Sequence, residues 1–133
     1  MALSKNIAKM PYMNAQQLAF FSRRLFALKE QTSGHIHAAH KSLGERPELN
    51  DEADLAQYEE TSRMALRVIE RETKLLRKID RALKNIRTGD YGYCLESGEP
   101  IGIDRLLIRP TAEYCAEVKN QMEKKEKHYA KRH

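Results

Sequence analysis

The sequence is poor in aromatic residues, in cysteine and in long apolar runs, and each shortage excludes a class of protein. Only 7% of its 133 residues are aromatic while 32% are charged, which favours an extended shape with much solvated surface over a compact globule. Two cysteines are too few for a disulfide framework and are expected to be thiols. No apolar run has the length of a membrane span, and the N-terminus lacks the pattern of a secretory signal. The composition therefore predicts a soluble, cytoplasmic protein.

Charge is what the sequence has in excess, and it is unevenly distributed. The chain carries a formal net charge of +5, yet the stretch from Gly44 to Glu60 holds seven carboxylates and one arginine. Between Arg63 and Arg87 the balance reverses, with nine Lys and Arg against three acids. A basic excess of this kind suits nucleic acid, an anionic small molecule or a merely solvated surface. Composition alone leaves these three alternatives open.

The segment 14–43 has the spacing of an amphipathic helix. Asn14 and Gln17 are placed as a capping box. Apolar residues then recur every three or four positions, most clearly at Leu18, Phe21, Leu25 and Leu28. Such a helix would be about 45 Å long, too long to bury itself alone. Gly44 and Pro47 are expected to end it.

A second segment of similar length follows after a short turn. Asn50 or Asp51 would cap it, and from Leu55 onward apolar residues keep the same three-and-four spacing. Because the two predicted helices are alike in length and joined by a short turn, we expect an antiparallel two-helix coiled coil over 14–89 with an acidic tip at 44–56. Small and polar residues along the seam predict that the hairpin narrows toward this tip.

The sequence from 90 to 133 lacks the long helical periodicity of the two preceding segments. Turn residues cluster as far as Pro100, short extended pieces are predicted over 101–108, and Pro110-Thr111 is expected to open a C-terminal helix. With residues 1–13 as an N-terminal arm, this region would form a small globular base. The predicted fold class is therefore mostly α: a long antiparallel coiled coil on a base with short β pieces and a C-terminal helix.

Four positions in the predicted base have the spacing of a zinc knuckle that has lost half of its ligands. Cys94 is followed by Ser97 and Cys115 by Val118, where a CxxC…CxxC motif would have four cysteines. Four thiolates complete the tetrahedral shell of a structural zinc ion, whereas two thiols with no nearby His do not. Zinc is therefore not expected, and Val118 would join a small apolar core instead. The two remaining cysteines leave a redox switch open.

Two further groups of polar residues have both a structural and a functional interpretation. Asp51 and Asp54 fall in the first turn of the second helix, where carboxylates cap free N–H groups and meet the positive end of the helix dipole. So many like charges in an exposed turn are also suited to reach into a partner. His37 and His40 have a spacing that permits metal binding, but histidines tolerated on a coiled-coil seam are the simpler interpretation.

Several motifs together resemble the DksA/TraR family of bacterial transcription factors. They are Tyr12-Met13-Asn14, Asp51-x-x-Asp54-x-Ala56, Tyr91-Gly92-Tyr93-Cys94, Ile101-Gly102-Ile103 and Arg109-Pro110-Thr111-Ala112. The resemblance extends over nearly the whole chain. Members of this family usually have four knuckle cysteines, so the resemblance implies a zinc-independent type of family member.

The resemblance implies a monomeric, non-enzymatic regulator that acts on RNA polymerase. The coiled coil would enter the secondary channel and place Asp51, Asp54 and Ala56 next to the active centre. There it would modulate initiation at rRNA and amino-acid biosynthesis promoters in the stringent response, by shifting the equilibrium of the open promoter complex. No direct sequence-specific binding to DNA and no membrane association are expected.

The resemblance also implies a co-regulator, the tetraphosphate nucleotide ppGpp, held jointly with the polymerase. The matching residues here are Lys78, Arg109 and Lys119, with Leu75 packing against the base. Two alternatives remain open. One is a secondary-channel factor that stimulates transcript cleavage with two carboxylates, although the short side chains and Ala56 favour regulation. The other is a basic nucleic-acid-binding module, although no helix-turn-helix, RNP aromatics or complete finger accompanies the charge.

Overall fold

The computed structural model describes residues 11–44 and 51–132. This part of the chain contains four helices, which are α1 (Ala15–Gly44), α2 (Glu52–Thr88), α3 (Ile103–Ile108) and α4 (Ala116–Arg132). The predicted mostly α class, with two long helices and a C-terminal helix, is confirmed. None of the described helices is both long and apolar enough to cross a membrane. Residues 1–10 of the predicted arm and 45–50 of the predicted tip lie outside the described residues.

Helix α1 begins with the capping box that the sequence predicts. The backbone N–H of Gln17 donates to Asn14 Oδ1 at 2.8 Å, and the backbone N–H of Asn14 donates to Gln17 Oε1 at 3.2 Å. This reciprocal pair satisfies two N–H groups that have no partner within the helix. Gln17 is fully buried, so the cap also belongs to the core around it.

The chain divides into two compact units. The base unit contains the described residues up to Leu25 and from Ala82 onward. The hairpin unit contains the described residues from Phe26 to Arg81. Each unit has its own buried side chains, and each is described separately below.

Ion pairs across the hairpin unit establish that α1 and α2 run antiparallel. Lys29 Nζ lies 2.9 Å from Asp80 Oδ1, and His35 Nδ1 lies 3.4 Å from Glu72 Oε1. Residue numbers rise along α1 as they fall along α2, which confirms the predicted direction. The carboxylate of Glu72 is nearly buried, a feature that the periodicity of the apolar residues does not indicate.

The seam of the hairpin unit is made of small and polar side chains. Thr32, Ala39 and Ala65 are all buried, and Ile79 is the large apolar residue that is fully buried there. Small side chains let two helices approach closely, and the narrowing of the hairpin toward its tip stays a prediction. Leu55, which the periodicity places on the same stripe, is instead 40% exposed, because it lies in the first turn of α2 where the packed seam has not yet begun.

The base unit is packed around aromatic and aliphatic side chains. Phe21, Leu25 and Leu106 are fully buried, and the ring of Phe21 lies 5.7 Å from that of Tyr91 between centroids. The buried Tyr91 hydroxyl donates to the carbonyl oxygen of Pro110 at 2.8 Å. Burying each such side chain contributes about 1.5–3 kcal/mol relative to leaving it exposed.

The motif residues before α1 contact the loop that follows α2. The Tyr12 hydroxyl donates to the Gly92 carbonyl oxygen and accepts from the backbone N–H of Gly102 at 3.0 Å. Gly92 has a φ of +92°, and a Cβ atom there would lie 2.9 Å from Met13. A side chain at position 92 is therefore excluded both by backbone conformation and by space.

The extended pieces predicted over 101–108 are wrong, because residues Ile103–Ile108 form helix α3. Within the described residues the β pairing consists of one isolated antiparallel bridge between Tyr93 and Pro100. Ile103 and Leu106, which are three positions apart, are both buried against the core. A short apolar run cannot distinguish this helical spacing from a strand.

The predicted start of the C-terminal helix is also wrong, because α4 begins at Ala116 rather than at Pro110-Thr111. The intervening residues form turns held by hydrogen bonds outside any helix. Ala112 N–H donates to the carbonyl oxygen of Arg109 at 3.0 Å, and Leu95 N–H donates to that of Glu113 at 2.9 Å. The local turn and the contact with the distant Leu95 replace the helix that a proline tends to begin.

Candidate functional site

The first turn of α2 is organised by Asp51, which caps it. Asp51 Oδ1 accepts a hydrogen bond from the backbone N–H of Asp54 at 2.8 Å, and the Asp51 carbonyl oxygen accepts from Leu55 N–H at 3.2 Å. This is the N-cap arrangement that the sequence predicts for one of its two candidate residues. One function of Asp51 is therefore to fix the conformation of this turn.

Asp54 lies in the same turn but has different surroundings. Its side chain is exposed, and its carboxylate has no hydrogen-bonding or ion-pair partner among the described residues. Glu52 and Ala56 are exposed as well. The turn therefore presents the carboxylates of Glu52 and Asp54 without a partner among the described residues, with the small side chain of Ala56 two positions after Asp54. Such groups can accept hydrogen bonds from a cation or coordinate a metal ion of a partner.

Three of the four positions of the degenerate knuckle, Cys94, Ser97 and Cys115, lie together in the base unit. Ser97 Oγ lies 3.9 Å from Cys115 Sγ and accepts from the backbone N–H of Glu99 at 3.3 Å. Cys94 is buried, and Cys115 is partly buried. Val118, the fourth position, is buried as an apolar residue.

The surroundings of the Cys94 sulfur favour its thiolate form. Burial raises the pKa of this thiol, but hydrogen bonds from the Ser97 hydroxyl and from the backbone N–H groups of Ser97, Cys115 and Glu96 outweigh it and lower the pKa to about 6. A thiol whose sulfur receives several hydrogen bonds is stabilised as the anion. Ser97 is therefore more than a lost ligand, since its hydroxyl interacts with both sulfurs.

The residues of this knuckle do not fit a structural zinc ion. Such an ion takes four nitrogen, sulfur or carboxylate ligands in a tetrahedron. Two of the four corners here are a serine hydroxyl and the hydrocarbon side chain of Val118. Among the described residues no group of three or more His, Cys, Asp or Glu side chains is placed to hold a metal. The buried Val118 instead contributes packing at this end of α4.

Two of the four residues matched to ppGpp binding lie together in the base unit. A surface pocket of about 740 Å³ is formed by α4, by α3 and by the residues that flank α3, which are Ile101, Gly102 and Arg109. Its cationic side chains are Arg105, Arg109 and Lys119. Arg105, which the sequence analysis did not select, donates through Nε to the Tyr114 carbonyl oxygen at 3.0 Å. Asp104 and Glu123 also line the pocket.

The other two matched residues lie on α2 in the hairpin unit. Lys78 is exposed and Leu75 is partly buried. They therefore have the exposure that contact with a ligand requires. His37 and His40, the second candidate metal pair, are both exposed on α1, whereas His35 pairs with Glu72 across the hairpin.

Both parts of the chain match models of one class of protein, in which a helical N-terminal domain precedes a zinc-finger-like region. Residues 17–86 match the DnaK suppressor protein DksA, N-terminal domain. Residues 89–124 match the prokaryotic dksA/traR C4-type zinc finger. This chain has two of the four cysteines that the name of the finger implies.

Individual relatives agree with this class. The chain is 40% identical over 118 residues to the RNA polymerase-binding transcription factor DksA of Caulobacter vibrioides, covering 88% of this chain and 83% of that protein. It is 39% identical over 120 residues to that of Escherichia coli K12, covering 90% and 80%. The solved structure of transcription factor DksA2 from Pseudomonas aeruginosa has a TM-score of 0.85 at 43% identity, covering 95% of this chain and 99% of that one. The chain belongs to the DksA family.

Proposed function

We propose that this protein is a non-enzymatic transcription regulator that binds RNA polymerase and acts on it through Asp54, with ppGpp as co-regulator and without zinc. Relatives that cover most of its length are named RNA polymerase-binding transcription factors. The observation that carries the proposal is the first turn of α2, where Asp51 holds the backbone and the Asp54 carboxylate is exposed and unpaired among the described residues.

The proposed mechanism is a change of equilibrium rather than a chemical reaction. A protein bound to the polymerase alters the open promoter complex only if it binds the open and closed states with different affinity. A hydrogen bond to a charged group is worth about 1.5–3 kcal/mol, and about 1.4 kcal/mol corresponds to a factor of ten. One Asp54 contact made in a single state can therefore shift the equilibrium by roughly ten- to a hundredfold. The small Ala56 would permit the close approach that such a contact needs.

The pocket of the base unit supports the ppGpp part of the proposal. Phosphate groups bind best where several cations converge, and Arg105, Arg109 and Lys119 line one pocket. Lys78, which is exposed, and Leu75, which is partly buried, are the other two residues that we propose to contact ppGpp. We propose that the polymerase supplies the rest of the site, because the carboxylates of Asp104 and Glu123 share the pocket and weaken it for an anion on its own.

The test is transcription in vitro from an rRNA promoter, with and without ppGpp, in the presence of a metal chelator. The expected result is inhibition that survives the chelator and strengthens with ppGpp. Lys119→Ala should lose the ppGpp effect while retaining the basal effect, and Lys125→Ala, an exposed lysine on the same helix, is the matched control. Loss of activity on chelation would contradict zinc independence, and equal ppGpp responses of the two variants would contradict the proposed site.

Transcript cleavage is the alternative that the same reaction mixtures can test. It would use two carboxylates at the catalytic magnesium, whereas Asp51 already commits one carboxylate oxygen to the cap. We therefore expect no stimulation of RNA cleavage in stalled complexes, and strong stimulation would replace the proposal by this alternative. A nucleic-acid-binding module would instead bind DNA without polymerase, with an affinity that falls steeply with salt.

A further inference from the structure

The two cysteine sulfurs of the base unit converge on one oxygen atom. Ser97 Oγ lies 3.9 Å from Cys115 Sγ, and the same hydroxyl donates a hydrogen bond to the Cys94 sulfur. Neither cysteine is in a disulfide. The side chains of Cys94 and Cys115 therefore contact the same hydroxyl group, although 20 residues and helix α3 separate them in sequence.

Backbone hydrogen bonds hold the two turns that carry the cysteines. The turn that carries Cys94 is closed by Gly98 N–H donating to the Cys94 carbonyl oxygen at 2.9 Å, where Gly98 has a φ of +74°. The turn that carries Cys115 is continuous with α4, whose Lys119 N–H donates to the Cys115 carbonyl oxygen at 3.0 Å. The hydrogen bond from Leu95 N–H to the Glu113 carbonyl oxygen links the two turns. The arrangement is thus preorganised, which reduces the entropic cost of binding a ligand.

We propose that Cys94 and Cys115 form a two-sulfur site for a soft univalent d10 metal ion, of which Cu(I) is the biological example. Thiolates select soft ions, and Cu(I) is stable with two sulfur ligands in a near-linear arrangement. Zinc requires four ligands, and no further Cys, His, Asp or Glu completes a set of three among the described residues. The ligand count that excludes zinc therefore suits Cu(I).

Binding involves a defined exchange of protons and contacts. The ion forms one bond to each sulfur, and any proton still held by either thiol passes to solvent, as metal binding to cysteine generally requires. The Ser97 hydroxyl loses its contacts with the sulfurs and keeps the backbone N–H of Glu99 as a partner. It is a hydrogen-bonding partner of the metal-free thiols and is not a ligand of the ion. The site does not depend on polymerase binding, so the two proposals can fail separately.

The experiment is an anaerobic competition titration of the full chain against a chromophoric Cu(I) chelator. We expect one Cu(I) per chain for the wild-type protein and for Ser97→Ala. Cys94→Ser and Cys115→Ser should each lose more affinity than the roughly 10–100-fold that loss of an outer-shell partner costs. Circular dichroism and sedimentation accompany each titration, to verify that every variant is helical and that one ion is bound by one chain.

Each contrary result overturns the proposal. Wild-type protein that fails to compete for Cu(I) would remove the site, and binding by two chains per ion would make it a bridge between surface thiols. Loss of binding in Ser97→Ala would make the hydroxyl a ligand. Should a cysteine variant fail to fold, X-ray absorption of the wild-type Cu(I) complex decides instead. Two sulfur neighbours are expected there, and three or more neighbours would contradict a two-sulfur site.

Discussion

Asp51 and Asp54 are both aspartates and lie three positions apart, but only the side chain of Asp51 caps the helix. A carboxylate oxygen of Asp51 accepts a hydrogen bond from the backbone N–H of Asp54, while the Asp54 carboxylate is exposed. The sequence predicts the cap, because N-capping is a local preference that depends on a few neighbouring residues. It cannot assign separate roles to two aspartates, because that requires knowing which oxygen atoms are already engaged.

Substitutions at position 51 should separate capping from charge. Asn caps helices about as well as Asp, whereas Ala cannot, so Asp51→Asn should leave stability nearly unchanged and Asp51→Ala should cost about 1 kcal/mol. Chemical denaturation followed by circular dichroism measures both. Equal stability of the two variants would contradict the capping role.

Cys94 should titrate well below an ordinary thiol. Burial opposes ionisation, but hydrogen bonds from Ser97 and three backbone N–H groups lower its pKa to about 6. Thiolate absorbance should therefore show a step with a midpoint near pH 6 that is missing in Cys94→Ser, and Ser97→Ala should move the step to higher pH.

Because the folded-state pKa of Cys94 is lowered, the ionisation of this thiol stabilises the fold most above the pKa of an unfolded thiol. That contribution is lost as the pH falls through about 6. A wild-type midpoint at the value of an ordinary thiol would contradict the hydrogen bonding described.

At the scale of elements, long amphipathic helices are predictable and short ones are not. The periodicity of α1 and α2 repeats over many turns, which fixes their type, and local caps fix where they start. Helix α3 spans only Ile103–Ile108, so its apolar residues fit a strand equally well. The start of α4 at Ala116 depends on hydrogen bonds from the distant loop that carries Leu95, and no local pattern contains that information.

The burial of Glu72 on α2 cannot be read from the periodicity of the apolar residues, and it leads to a prediction about stability. Its carboxylate is nearly buried at the α1–α2 seam, with His35 as an exposed partner. Replacing a buried charge by a well-packed apolar group is often neutral or stabilising, so Glu72→Leu should raise the thermal midpoint of unfolding. Glu70→Leu, on the exposed face, is the control and should change it little. A drop of several degrees for Glu72→Leu would mean that the contacts of the carboxylate with His35 and Arg71 outweigh the cost of burying it.

At the scale of the whole molecule, the chain keeps the fold of a zinc-finger family with half of the usual cysteines. The sequence locates the degenerate knuckle because cysteine spacing is a strong signal. It cannot indicate that Ser97 interacts with both thiols or that Val118 is buried, since both facts depend on tertiary contacts. Likewise, it places Arg109 and Lys119 among the basic residues of the chain, but only the fold brings them with Arg105 into one pocket.

The central claim is that the protein alters RNA polymerase through the carboxylate of Asp54. The most direct measurement is the lifetime of the open complex at an rRNA promoter in the presence of saturating protein. The proteins compared are the wild type, Asp54→Asn and the control variant Glu59→Gln, which removes another exposed carboxylate on the same helix. Wild-type protein and Glu59→Gln should shorten the lifetime, and Asp54→Asn should bind polymerase with wild-type affinity and leave the lifetime unchanged. An Asp54→Asn variant that shortens the lifetime as well as the wild type does would contradict the account.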